Sequence, residues 1–311
     1  SKAYGTDTPE SDTDYRGVCT VPKDYILGFS KNFEQYESKD PDGVVFNLLK
    51  WVKLAADTNP NALELLFLDH KDILFAHPCW GELLDIREAF LSKRVYYTFC
   101  GYAKSQLKRM QTHRGYLMSP VKEPPSRKDF GLPDKPLIPK LDAADAAVQK
   151  LLDSIAGTWA IDKTEQLNIY DKAATALGFD TNFVELLYKE KQYSARMSEY
   201  HSYKRWETER NPKRREMELK FGLDTKHCVQ LVRLMRMCLE LLENQQFLVK
   251  RPDAEELKAI RNGAWKYEDV MSWSKDQEAK IDAALKTTKL PDRPNLKLIE
   301  PKVIEIMERF L

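Results

Sequence analysis

The sequence predicts an α+β protein, with a small N-terminal domain built on a mixed sheet and a larger, all-helical C-terminal domain. Three observations predict this class. In residues 1–119 the apolar positions follow strand and helix periods in turn, whereas in residues 140–311 they recur almost everywhere at helical spacing. Between them, residues 120–139 hold six of the 16 prolines among many charges, which is typical of a linker.

The N-terminal pattern predicts a strand, a helix, a second strand and then helices. Residues 15–21 and 62–68 are the predicted strands, and residues 44–57 the helix between them. Asn59-Pro60 cannot continue that helix and should form the turn into the second strand. Apolar residues at helical spacing from residue 80 onward predict two further helices before the linker.

Beyond the linker, the apolar period predicts helices throughout. The clearest predicted helices are residues 146–155, 164–177, 182–210 and 226–243, with a closing amphipathic helix within 291–311. The mixed-charge stretch 202–220 is interpreted as a solvated helix pair broken at Asn211-Pro212, with RNA contact as the alternative.

The composition is that of a globular protein with balanced charge. The 311 residues include 49 Lys and Arg against 48 Asp and Glu, a formal net charge of +1. Hydrophobic residues make up 42% of the chain and the mean hydropathy is −0.55, while no run approaches the roughly 18 apolar residues of a membrane helix. A bulk polycation and a membrane-spanning protein are both excluded.

The cysteines of the chain favour a cytoplasmic location. The five cysteines are odd in number, widely spaced and without a C-x-x-C pair, which indicates neither a disulfide framework nor a zinc ribbon. A reducing cytoplasm is therefore expected.

A pair of carboxylates near the start is the first chemical signal. On a strand, Asp12 and Asp14 project from the same side, about 7 Å apart along the backbone. Two such hard ligands suit Mg²⁺, which proteins hold with one or two carboxylates plus substrate phosphates. A solvated turn is the alternative interpretation, because Asp is common in turns.

Glu64 is a third candidate, because it interrupts an apolar stretch that should be buried. A buried carboxylate needs compensation. If its predicted strand lies beside that of Asp12 and Asp14, the three carboxylates could hold two metal ions. The alternative is an edge strand on which Glu64 faces solvent.

This ordered set of residues resembles the DNA polymerase β superfamily of nucleotidyltransferases, in which a Gly-Ser turn precedes D-x-D and a third acidic strand residue. The resemblance is closest to the bacterial and phage RNA-repair-pathway polymerase β family, in the segments SKAYGTDTPESDTDYRGV, NPNALELLF, FCGYAKSQLKRM, DTKHCVQLVRLMRMCLELL and RPDAEELKAIRNGAWKYED. It spans most of the chain. The Gly that the family places before Ser1 is absent from this sequence.

The resemblance implies that an NMP group moves from an NTP to an acceptor hydroxyl while pyrophosphate leaves. Two Mg²⁺ ions, or Mn²⁺ in their place, would be held by Asp12, Asp14 and Glu64 and would stabilise both ends of the in-line displacement. The residue 1–119 domain would then be the catalytic domain, and the helical domain 140–311 would close the nucleotide cleft.

Further residues are expected to bind the nucleotide. They are Ser1, Lys2, Arg16, Lys93, Lys226, Gln230 and Arg233. Ser1 belongs to the phosphate-binding turn that the resemblance implies. The last three recur at i, i+4 and i+7 behind the helix cap Asp224, and a solvated basic face is their alternative interpretation.

The expected acceptor is a terminal hydroxyl of damaged RNA. The near-zero net charge tempers this expectation, since RNA binding depends on clustered Lys and Arg. The same chemistry on a protein or a small molecule is one alternative, and a non-catalytic nucleotide-binding module is another. Neither a G-x-S-x-G elbow nor a G-x-x-x-x-G-K-[ST] or G-x-G-x-x-G loop is present, which disfavours other nucleotide folds and serine hydrolases.

Overall fold

The computed structural model describes residues 2–9, 11–135 and 181–310. Ser1, the end of the linker and the predicted helices at 146–155 and 164–177 lie outside these residues. The chain divides into two compact units, one made of residues 1–117 with 213–311 and the other of residues 118–212. The α+β class is confirmed, because a small N-terminal mixed sheet is followed by a larger helical region.

A three-stranded sheet lies near the N-terminus, in the order β1-β3-β2. The strands are β1 (Tyr15–Cys19), β2 (Gln35–Lys39) and β3 (Asp42–Asn47). β1 is parallel to β3 and β2 is antiparallel to it, with Tyr15 opposite Gly43. A Cβ on Gly43 would lie only 2.9 Å from the Tyr15 carbonyl oxygen, so glycine permits this close pairing.

Helices account for most of the remaining described residues. In the unit of residues 1–117 and 213–311 they are α1 (Lys23–Leu27), α2 (Leu48–Ala56), α3 (Pro60–Leu63), α4 (Pro78–Asp85), α5 (Arg94–Met118), α7 (Pro212–Phe221), α8 (Thr225–Asn244), α9 (Ala254–Arg261), α10 (Tyr267–Thr287) and α11 (Leu296–Glu308). The second unit contains α6 (Thr181–Glu209) and the short 3₁₀ helix Arg127–Phe130. None of the described helices combines the length and the apolar character needed to cross a membrane.

The predicted strand at residues 62–68 is wrong, because this stretch is helical. α3 continues directly into the 3₁₀ helix Glu64–Phe67. The Asn59 side chain caps α3 by accepting a hydrogen bond from the Asn61 N–H at 3.0 Å, and Pro60 occupies the first helical position. Asn59-Pro60 therefore starts a helix here.

The predicted helix at residues 44–57 begins later than expected. Its first residues belong to β3, and α2 starts at Leu48. The side chain of Asn47 accepts a hydrogen bond from the Leu49 N–H at 2.9 Å, which marks the change from strand to helix. The spacing of apolar residues runs through this boundary without a break.

Other predicted elements are confirmed where the structure describes them. The first strand corresponds to β1, the two helices before the linker to α4 and α5, the segments 182–210 and 226–243 to α6 and α8, and the closing helix to α11.

One hydrophobic core joins the N-terminal elements to the helices of residues 213–311. Trp51 and Phe90 are fully buried in it together with Leu241 and Ile306. Phe247 makes edge-on ring contacts with Phe67 and Phe99, at centroid distances of 5.2 and 5.7 Å. Two distant stretches of sequence thus build one unit.

Candidate active site

An open cleft of about 1160 Å³ lies within the unit of residues 1–117 and 213–311. Among the predicted site residues it is lined by Lys2, Asp12, Asp14, Arg16, Glu64, Lys226, Gln230 and Arg233. Lys93 lies elsewhere in the described structure, with its Nζ 2.8 Å from Asp292 Oδ1. Asp42, Arg214 and Arg261 also line the cleft, although no sequence pattern marks them as site residues.

The carboxylates of the cleft gather at one edge of the sheet. Asp12 and Asp14 are exposed and directly precede β1. β1 and β3 are parallel, so they begin at the same edge. Asp14 and Asp42 each directly precede a residue of the Tyr15–Gly43 pair, and Asp42, the exposed first residue of β3, also lines the cleft. The predicted helix at 44–57 overlaps most of β3, so the sequence did not indicate a strand beginning at Asp42.

Glu64 occupies a different environment, buried beneath the cleft wall. Its Oε2 accepts a hydrogen bond from the Tyr4 hydroxyl, and its Oε1 pairs with Arg16 NH1. Arg233 NH1 lies 3.9 Å from Oε2. We call Tyr4, Arg16, Glu64 and Arg233 the Glu64 cluster. The expectation that Glu64 lies on a strand beside Asp14 is wrong, since a 3₁₀ helix carries it.

Tyr4 contributes to this cluster as a hydrogen-bond donor and as an aromatic ring. Burial, more than the nearby carboxylate of Glu64, raises the pKa of Tyr4 to about 12, against the opposing effect of Arg233. The hydroxyl therefore keeps its proton at neutral pH. The Arg233 guanidinium lies 3.5 Å from the centroid of the Tyr4 ring, a cation–π contact.

Cations from three helices also line the cleft, and we call them the basic wall. Lys226 and Arg233 come from α8, Arg214 from α7 and Arg261 from the last position of α9. Burial, followed by the charges of Arg261 and Arg214, lowers the pKa of Lys226, while Asp12 acts in the opposite direction. Lys226 therefore lies within electrostatic reach of both the neighbouring arginines and Asp12.

A second group of possible metal ligands lies behind this wall. His113, Asp224 and His227 each offer one ligand atom, all within 4.8 Å of one another. However, Arg214 NH1 lies 3.1 Å from both Asp224 Oδ2 and His227 Nε2. The guanidinium of Arg214 already supplies positive charge to these atoms. Asp224 and His227 are therefore better suited to position Arg214 than to bind a metal ion.

The hydrogen bonds around His227 support this interpretation. His227 Nδ1 lies 2.7 Å from Gln106 Oε1, which favours a proton on Nδ1 and leaves Nε2 to accept from Arg214. Asp224 also caps α8, because its Oδ1 accepts from the His227 N–H at 3.2 Å. This buried network fixes both the start of α8 and the orientation of Arg214.

Comparison with known proteins agrees with the resemblance found in the sequence. Residues 1–121 match the family described as the RNA repair pathway DNA polymerase beta family, which confirms the resemblance for that part of the chain. This family belongs to the polymerase β superfamily, whose chemistry is nucleotidyl transfer. The matched residues include Asp12, Asp14, Asp42 and Glu64.

One curated relative comes from a bacteriophage. The chain is 30% identical over 118 residues to the uncharacterized 38.9 kDa protein in the nrdC-mobD intergenic region of Enterobacteria phage T4. The alignment covers 34% of this chain and 35% of the phage protein, so it spans about a third of each. No solved structure matches the chain.

Proposed function

We propose that the protein is a Mg²⁺-dependent nucleotidyltransferase that moves an NMP group from an NTP to a hydroxyl at an RNA terminus. The observation that carries this proposal is that one cleft holds both exposed carboxylates and a group of cations. Asp12 and Asp14 line it together with Lys226 and Arg233 of the basic wall. A cleft of this kind suits a triphosphate that is bound by cations at its outer phosphates and by metal ions at its reacting end.

The carboxylate edge fits a hard divalent cation. Asp12 and Asp14 are exposed to the cleft and offer oxygen ligands, which suit Mg²⁺ or Mn²⁺. We favour Asp42 over Glu64 as the third ligand, because both oxygens of Glu64 already accept hydrogen bonds. Two such ions, when bound, stabilise the attacking and the leaving oxygen of an in-line displacement.

The protein's own side chains orient the substrate. Lys226 and Arg233 are well placed to bind the outer phosphates, with Lys2 from the N-terminal turn and Gln230 from the same face of α8. Arg214 adds a guanidinium whose direction is fixed by the Asp224–His227 network. Charge-assisted hydrogen bonds of this kind are among the stronger ones in proteins.

RNA is the acceptor that we favour, on the strength of the matched family's RNA repair pathway. The balanced net charge is compatible with this choice, because the cleft itself offers several cations to a phosphate backbone, among them Lys2, Arg214, Lys226 and Arg261. All five cysteines are unpaired, which supports a reducing compartment such as the cytoplasm.

Three carboxylates facing one cleft would repel one another without a cation, which argues against a nucleotide-binding module that has lost catalytic activity.

The test is transfer of label from each α-³²P-labelled NTP, in Mg²⁺, to a mixture of RNA and cell protein. Asp14→Asn should reduce transfer by about 10²–10³-fold, the size expected when electrostatic stabilisation of the transition state is lost. Asp276→Asn, an exposed aspartate on α10, is the matched control and should transfer normally.

The labelled product identifies the acceptor. Label that is sensitive to ribonuclease supports RNA, whereas label that is sensitive to protease moves the same chemistry to a protein. If the wild-type protein binds NTP but labels nothing, the enzyme proposal fails and a nucleotide-binding module replaces it.

A further inference from the structure

We propose that Glu64 is a positioning residue, which holds Arg16 and Arg233 together in the cleft wall so that the two guanidinium groups bind the nucleotide's phosphates as a pair. This inference rests on the proposed function. It assigns Glu64 to phosphate binding, through the arginines, instead of to metal binding.

Burial and hydrogen bonding show that Glu64 is already fully engaged. Only 8% of its side chain is exposed. Tyr4 donates to one carboxylate oxygen and Arg16 to the other, while Arg233 lies 3.9 Å from the first. A metal ion would have to displace one of these donors and lie beside two guanidinium groups, whose charge opposes its binding.

The charges of the cluster do not cancel, and the excess faces the cleft. One carboxylate lies beside two guanidinium groups, and Tyr4 keeps its proton because burial raises its pKa. One positive charge is therefore left over. Arg16 and Arg233 both line the cleft, so this charge is available to an anion. Guanidinium groups bind phosphate oxygens in a defined, often bidentate geometry.

Both guanidinium groups are held in place from more than one side. Arg16 NH1 donates to the Asn61 carbonyl at 3.2 Å in addition to Glu64. Arg233 lies between Glu64 and the ring of Tyr4. Side chains that are ordered before the ligand arrives lose less entropy on binding, so the pair is preorganised for phosphate.

The Tyr4 side of the cluster is itself fixed to the helical part of the unit. The Tyr4 carbonyl accepts a hydrogen bond from the Arg251 N–H at 3.1 Å. The Arg251 side chain is bound in turn by both carboxylate oxygens of Glu240, at 2.6 and 2.7 Å, and by Asp253 at 2.8 Å. Glu64 thus contacts residues of three elements: Tyr4 of the N-terminal turn, Arg16 of β1 and Arg233 of α8.

The test separates nucleotide binding from metal binding. Binding of a fluorescent ATP analogue is titrated in EDTA and again in Mg²⁺, for wild type and Glu64→Gln. We expect Glu64→Gln to weaken binding about tenfold in both conditions, the order of one charge-assisted interaction. The Mg²⁺ concentration that half-saturates transfer should stay unchanged. Glu255→Gln, an exposed glutamate on α9, is the control and should bind normally.

A double-mutant cycle shows whether Glu64 acts through the arginines. In the background of Arg16→Met and Arg233→Met, Glu64→Gln should have little further effect on nucleotide binding. Tyr4→Phe keeps the carboxylate and removes one of its donors, so it should give a smaller loss of affinity in the same direction. This variant also tests the proposal if Glu64→Gln fails to fold.

Two results would overturn the inference. One is normal nucleotide affinity of Glu64→Gln in EDTA together with a raised Mg²⁺ requirement, which would make Glu64 a metal ligand. The other is an equal effect of Glu64→Gln with and without the arginines. Failure of the proposed function gives a different result, namely wild-type protein that transfers no label, and the binding cycle can still be measured in that case.

Discussion

At the residue scale, the basic wall of the cleft changes the chemistry of Lys226. Burial and the two neighbouring arginines, Arg261 and Arg214, disfavour its charged form and lower its pKa. A lysine in this state loses its proton at a lower pH than an exposed lysine. A bound phosphate group would restore the charge, so that ligand binding and proton uptake become coupled.

This coupling predicts the pH dependence of NTP affinity. As the pH is raised from neutral into the alkaline range, through this lowered pKa, Lys226 becomes neutral and NTP affinity should fall. In Lys226→Arg the affinity should stay nearly constant over this range, since guanidinium remains charged. Binding isotherms at several pH values check the prediction, and parallel losses of affinity in the two proteins would contradict it.

Single residues also show what the sequence could predict about the site. Asp12 and Asp14 stand out because a D-x-D pair is a local pattern, and the helical spacing of Lys226, Gln230 and Arg233 was enough to place them together. Arg214 and Arg261 carry no such pattern. They reach the cleft through the packing of α7 and α9, which depends on contacts far apart in the chain.

At the scale of elements, the pairing of β1 with β3 depends on a glycine. A Cβ at Gly43 would lie 2.9 Å from the Tyr15 carbonyl oxygen and 3.1 Å from the Tyr15 Cβ. The strands would have to separate to make room. Asp14 and Asp42 directly precede the paired residues and line the cleft, so the glycine affects the geometry of the site as well as the sheet.

Gly43→Val should therefore destabilise the protein by about 1–3 kcal/mol, as overpacking does in other proteins. Gly81→Ala is the comparison, because a Cβ there meets no atom within 4 Å and alanine favours the helix α4 by roughly 0.5–1 kcal/mol. Urea denaturation of both variants measures the difference. Equal stability of Gly43→Val and wild type would show that the pairing of β1 with β3 does not depend on the close contact between Gly43 and Tyr15.

The two incorrect element predictions have a common physical origin. Leu63, Leu65 and Phe67 alternate as in a strand, but the cap at Asn59 and the proline after it commit the chain to a helix. At β3, the apolar residues fit a helix that actually begins only at the Asn47 cap. In both places a short apolar run was ambiguous, and the side chain that caps the helix decided the outcome.

At the scale of the whole molecule, the core depends on residues from both ends of the sequence. Phe99 packs on Phe247, and the Asn295 N–H donates to the Ala89 carbonyl at 2.8 Å. Tyr96 donates to Asp282 at 2.9 Å. The family match ends at residue 121, yet the unit that contains the matched residues extends over residues 213–311 as well.

A fragment of residues 1–121 should therefore not fold alone. Its apolar residues would be left without the helices α8 and α11, against which they pack. We expect no cooperative thermal transition in calorimetry and poorly dispersed NMR spectra, and both should recover when residues 213–311 are co-expressed. A cooperative transition in the isolated fragment would contradict this expectation.

The discontinuous unit has a consequence for the growing chain on the ribosome. The residues of the N-terminal part emerge first, but helix α11, which completes their core, is made about 180 residues later, or roughly ten to forty seconds at 5–20 residues per second. During that interval the N-terminal core residues lack the partners that α11 supplies, such as Ile306. The nascent protein is thus a natural client for chaperones that shield apolar segments until translation ends.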